Sequence, residues 1–108
     1  IIVRFASPQM INAIRFITAE DRPERDPMKI TVEASNSPHS KEAGFKSWTL
    51  LYEGESGVLE DAPRNSEGLA ATFKNSKPYK YYRILITQVK SGSADGVQYA
   101  EMILGETK

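Results

Sequence analysis

Met28-Lys29-Ile30-Thr31-Val32-Glu33-Ala34-Ser35 decides the fold class. Apolar Met28, Ile30, Val32 and Ala34 alternate with polar Lys29, Thr31, Glu33 and Ser35. A period of two over this length describes a strand with one face buried and one face wet. The pattern recurs on both sides. Ile1, Val3 and Phe5 alternate with Ile2, Arg4 and Ala6 until Pro8 interrupts the run. A second strand is expected over 11–19, with Ile14 and Phe16 on the core face. Trp48, Leu50 and Tyr52 repeat the alternation, and a shorter piece surrounds Phe73. The longest apolar run is 79–89, where Tyr82, Ile84 and Ile86 face away from Tyr81, Arg83 and Leu85. A last strand is expected over 97–104, ending at Gly105; both of its alternate sets are partly apolar.

Between these runs lie 20–27, 36–47, 54–68, 75–78 and 90–96, each carrying Gly, Pro, Asn, Asp or Ser where the chain must turn. No long window has a 3.6-residue period, although 66–74 is compatible with a helical turn. Short strands with turn signals between them make an all-β, antiparallel β-sandwich or barrel. The 108 residues allow one domain, spanning 1–108. If successive strands alternate in direction, the loops at 20–27, 54–68 and 89–96 share one end of the sandwich. The loops at 36–47 and 75–78 share the other.

Composition excludes several functions. Fourteen basic and fourteen acidic residues cancel, and no Lys/Arg run marks a nucleic-acid footprint. The absence of cysteine removes disulfides, thiol chemistry and cysteine-ligated zinc. No apolar run approaches the roughly 20 residues that span a bilayer, and no signal-peptide pattern is visible. The start, Ile1-Ile2-Val3, lies inside an apolar stretch and reads as that of a fragment or processed product. His39 is the only histidine and makes no transition-metal site alone. No nucleophile motif, phosphate loop or zinc-protease motif occurs, so the chain reads as a non-enzyme. None of the asparagines begins a glycosylation sequon.

Four passages together resemble one family. They are Ile11-Asn12-Ala13-Ile14-Arg15-Phe16 leading into Thr18-Ala19-Glu20-Asp21-Arg22-Pro23-Glu24-Arg25-Asp26-Pro27; Ile30-Thr31-Val32-Glu33-Ala34-Ser35-Asn36 before Trp48-Thr49-Leu50-Leu51; Phe73-Lys74-Asn75 with Tyr79-Lys80-Tyr81-Tyr82-Arg83-Ile84; and Gln98-Tyr99-Ala100-Glu101-Met102. In this order they are similar to discoidin (coagulation-factor C-type) domains and carbohydrate-binding modules of the galactose-binding-like superfamily. Position 20 is Glu where a bacterial-type branch of these domains carries asparagine. The resemblance implies a jelly-roll sandwich whose first strands and calcium-holding loop are missing here. It also implies glycan binding or adhesion, an extracellular or cell-surface setting within a larger protein, and a structural calcium ion with Glu101 as a ligand.

The residues themselves keep two readings at each place. Positions 20–27 hold six charged residues in eight. Arg22, Arg25 and Asp26, with Arg64 from the next loop, form a polar rim whose guanidinium forks suit sugar hydroxyls or a partner's carboxylates. Alternatively the charges neutralise one another and tie the loop to its neighbours. Arg64-Asn65 either completes the rim or caps its own loop. Glu101 is a calcium ligand on the resemblance, or else a surface residue or the partner of Arg83. Trp48 and the tyrosines read as core, while Phe45 is the aromatic expected to be exposed. The leading expectation is a glycan-binding module with these loops as its site. The alternatives are a structural or protein-interaction domain in an assembly, and the accessory domain of a hydrolase.

Overall fold

The computed structural model describes residues 1–37, 48–92 and 96–107. They form β1 (Ile2–Gln9), β2 (Ala13–Ile17), β3 (Pro27–Ser35), β4 (Thr49–Glu55), β5 (Ala71–Thr72), β6 (Tyr79–Val89) and β7 (Glu101–Gly105). The strands make two sheets, β1-β6-β3-β4 and β5-β2-β7, and every pairing is antiparallel. The chain is therefore all-β, with the two-sheet architecture of a sandwich.

The alternation in β3 is the reason. Ile30, Val32 and Ala34 are fully buried, and Tyr82 and Ile84 of the adjacent β6 lie beside them. Ile14 and Phe16 of β2 and Ala71 of β5 close the same core from the second sheet. Each large apolar side chain taken fully out of water contributes about 1.5–3 kcal/mol, so this one cluster supplies most of the drive to fold.

Four expectations need correction. Pro8 does not end the first strand, because β1 is the outer strand of its sheet and a missing amide there costs little. The pairing register of β1 shifts between Arg4 and Gln9 to pass it. Leu50 is not in the core. Val32 pairs with Tyr52 while Glu33 pairs with Leu50, so Leu51 is an extra residue in β4. This bulge reverses the alternation: Leu51 packs on the core, and Leu50 is 56% exposed. The segment 66–74 holds no helical turn, since β2 takes its amides. Gly68 donates to the Phe16 carbonyl at 2.8 Å and Phe73 to that of Asn12 at 2.9 Å. The last strand starts only at Glu101, with Met102 and Leu104 turned to the core and Ile103 outward. The expectations for His39 and Phe45 fall outside the described residues.

Tyr82 joins the sheets through its hydroxyl as well as its ring. The hydroxyl donates to the Gln9 carbonyl and accepts from the Ile11 amide at 3.0 Å and from Asn75 Nδ2 at 3.2 Å. Asn75 Nδ2 also donates to the Ile11 carbonyl at 2.9 Å. Tyr82→Phe removes the oxygen and strands a buried amide, so urea denaturation should show a loss of about 1–3 kcal/mol.

Burial also raises Tyr82 above the ordinary tyrosine pKa of 10.0, against the lowering effect of these hydrogen bonds, and burial raises Tyr99 and Tyr52 as well. Well below pH 10 all three are neutral, folded or unfolded. Above it the unfolded chain releases these protons first, so stability should fall as pH rises through that range. Thermal melts from pH 8 to 11 check this, and Tyr82→Phe should flatten the decline.

Candidate ligand-binding site

The three loops expected at one end do meet there. The 3-10 turn Pro23–Arg25 leads from β2 into β3, and its backbone is stitched to the segments following β6. Lys90 donates its amide to the Asp26 carbonyl at 3.0 Å, Ser91 to Glu24 at 3.1 Å and Gln98 to Arg25 at 3.0 Å. The loop after β4 joins from the other side. Asn65 donates to the Ala19 carbonyl at 3.2 Å, and Thr18 to that of Ser66 at 2.9 Å. Asp95, which the sequence also assigns to this end, lies outside the described residues.

Beneath the loops sits one ion pair. The Asp26 side chain is wholly buried, and both its oxygens accept from the Arg64 fork, Nη1 to Oδ1 at 2.9 Å and Nη2 to Oδ2 at 2.6 Å. Arg64 Nη2 also donates to the Ala62 carbonyl at 3.0 Å. The hydrogen bonds that Arg64 donates to Asp26 push its guanidinium above its ordinary value, against the opposing effect of burial. A paired, hydrogen-bonded geometry is what permits a carboxylate to be buried at all. Asp26 and Arg64 thus hold the 20–27 and 56–70 segments together, with no carboxylate face left toward solvent.

Two buried hydroxyls finish the frame. Thr18 Oγ1 donates to the Pro63 carbonyl at 2.6 Å and accepts from the Ser66 amide at 2.9 Å. Ser56 Oγ donates to the Pro27 carbonyl at 2.7 Å and accepts from the Val58 amide at 3.1 Å.

Above this frame lies the rim. Arg22 has a side chain 60% exposed, with Nη1 at 3.9 Å from Glu24 Oε1, a loose surface pair. Its backbone is left-handed, with φ 55 and ψ 57. That conformation is unusual for a residue with a Cβ, and it costs roughly 1–2 kcal/mol. Arg22→Gly should therefore raise stability by roughly 1 kcal/mol in urea melts. Arg25 is half-buried and engaged within the loop cluster. Asp21 Oδ1 accepts from Gln98 Nε2 at 2.9 Å, tying the rim to the last segment. Asn65, with φ 53, makes a second left-handed corner, where asparagine is well tolerated. Chemically the rim offers guanidinium donors beside carboxylate acceptors, suited to hydroxyls or to a partner's charged side chains.

Glu101 stands apart. It is exposed on β7, opposite Ile17 of β2. Among the described residues no three His, Cys, Asp or Glu side chains group closely enough to hold a metal ion. Nor is Glu101 the partner of Arg83, which binds Glu33 at 2.9 Å. The Arg83 guanidinium lies 4.4 Å from the centre of the Trp48 ring. Trp48 is thus half-buried outside the core cluster rather than within it. No protein-family model matches the chain, and no curated protein matches it either.

Proposed function

We propose that this chain is a non-catalytic recognition module that binds a glycan at the loop end of the sandwich. The observation that carries the reading is the convergence of three loops, cross-bonded through their backbones and underpinned by the buried Asp26–Arg64 pair, beneath an exposed charged rim. Loops held rigidly at one end of a sheet scaffold are the usual place for a built binding site. The similarity of four sequence passages to discoidin and carbohydrate-binding domains supports the same choice, together with a jelly-roll topology and an extracellular or cell-surface setting. Arg22 and Arg25 are the contact residues, with Asp21, Glu24 and Gln98 beside them. Asp26 and Arg64 position the rim from below.

A shallow rim buries few groups and gives modest affinity. A glycan array probed at high protein concentration, with calcium and with chelator, should show the same binders in both conditions. Arg22→Ala should weaken them by roughly tenfold, the effect of losing one charge-assisted contact. A blank array, or binding that Arg22→Ala leaves intact, contradicts the assignment.

A further inference from the structure

The turn Leu59-Glu60-Asp61-Ala62 is closed by the Ala62 amide on the Leu59 carbonyl at 3.1 Å, and its two central residues are acidic and exposed. Among the described residues neither carboxylate meets a cation. Beside the turn opens a cleft of about 310 Å³ between the 59–63 and 66–69 segments, with Leu59, Asp61, Ala62, Pro63 and Leu69 in its lining. Val58 takes the core position next to Leu59, which is left 54% exposed, and Leu69 is 63% exposed. A single leucine facing water is ordinary. Two that line one cleft beside unpaired charge make a surface with a chemical preference.

The cleft is built before any ligand arrives. The Leu69 amide is pinned to the Gly57 carbonyl at 2.9 Å and the Gly68 amide to that of Phe16 at 2.8 Å. The Pro63 carbonyl accepts from Ser66 Oγ at 2.8 Å and from Thr18 Oγ1 at 2.6 Å. Both segments are thus anchored to β2 and its flank, so binding spends little entropy on ordering them. The cleft is distinct from the rim, since neither Arg22 nor Arg25 lines it. No aromatic ring lines it either, so it offers no platform for a sugar. Glu67, also in its lining, is neutralised by Arg15 at 2.8 Å. Asp61, with Glu60 next to it in the chain, is the charge a ligand meets.

We propose that this cleft docks a segment of a partner protein that presents a leucine-sized apolar side chain and an arginine on the same side. The apolar side chain packs on Leu59 and Leu69, and the guanidinium fork meets the Asp61 carboxylate. Charge complementarity selects this occupant. Unpaired carboxylates repel anionic lipid headgroups and acidic segments, while the two leucines give a purely polar cation nothing to bury. An exposed ion pair is weak and screened by salt. The leucine contacts therefore supply most of the affinity, and Asp61 supplies the choice of sign.

The probe is a blocked glycine–serine hexapeptide carrying leucine and arginine two positions apart, which puts them on one side of an extended chain. It is added at millimolar concentration to the 15N-labelled full chain. Amide shifts should move at Leu59, Asp61, Ala62 and 66–69. Replacing the peptide's leucine by glycine, or Leu69→Asn in the protein, should weaken binding roughly tenfold. Leu59→Ser is the second variant, read in place of Leu69→Asn if that spectrum shows misfolding. Asp61→Asn should weaken binding roughly threefold in low salt and leave it unaltered in high salt. The proposal is overturned if these amides do not respond, or if the leucine variants bind as the parent does. It fails as well if a peptide with glutamate for arginine, or phosphatidylserine vesicles, moves the same amides equally. Shifts confined to 20–25 would place the arginine on Asp21 and Glu24 instead and overturn it. So would movement of these amides with rising protein concentration alone, which would assign the cleft to a second copy.

Discussion

Gly57→Ala should cost about 4 kcal/mol or more, enough to unfold a domain of this size under mild conditions. Gly57 has φ +93, a region that residues with a Cβ seldom enter. A Cβ built there would lie 1.9 Å from the Leu69 carbonyl oxygen and 2.8 Å from its carbon. Both atoms are backbone, so no side-chain rotation relieves the clash. Nor can the two parts of this loop simply separate, because the Leu69 amide donates to the Gly57 carbonyl at 2.9 Å. The control is Gly92→Ala, where an added Cβ meets nothing within 4 Å. It should change stability by less than about 0.5 kcal/mol. Urea denaturation of both variants checks the pair, and a tolerated Gly57→Ala would mean that the loop after β4 is not pinned as described.

Arg64→Met should destabilise by about 3–5 kcal/mol, since it leaves the Asp26 carboxylate buried with no cation. Asp26→Ala removes the same pair from the other side. It should cost somewhat less, because the Arg64 side chain is 24% exposed and can turn its fork toward water. The double variant Asp26→Ala/Arg64→Met should be more stable than Arg64→Met alone, since the stranded charge is gone. That ordering is the signature of a structural pair. If Arg64→Met leaves stability unchanged while abolishing ligand binding, Arg64 belongs on the rim rather than beneath it.

The sequence pattern carries the core far better than the edges, for a physical reason. β3 and β6 sit centrally in the larger sheet, so their inward sets, Ile30, Val32 and Ala34 with Tyr82 and Ile84, must be apolar. β1 and β4 are outer strands, where one unpaired residue costs little. Hence Pro8 is absorbed and Leu51 is inserted, and neither leaves a mark in the alternation. The stretch 66–74 shows little strand periodicity because only Ala71–Thr72 forms a strand; the Gly68 amide, the Glu67–Arg15 pair and the buried Ala71 hold the rest against β2.

At the loop end, the count of strand reversals was enough to bring 20–27, 54–68 and the segment after β6 together. What it could not separate was rim from frame. Asp26 and Arg22 are both charged loop residues, yet one is fully buried and the other mostly exposed. Only the position of Arg64 across the loop distinguishes them. The roles of Thr18, Ser56 and Gln98 are not legible either, because a hydroxyl or amide that serves a distant partner has no local sequence signature. The proline following Arg22 favours an extended backbone there, so the left-handed corner observed at Arg22 has no cue in the sequence.

The most direct test of the loop-end assignment is an amide chemical-shift map of the 15N-labelled chain, titrated with the strongest binder from the glycan array. The account predicts perturbations concentrated at 20–25, 90–92 and 96–98, with the amides of β3 and β4 silent. Perturbations centred on 75–78, on the outer sheet face around Trp48 and Arg83, or on Glu101 would contradict it.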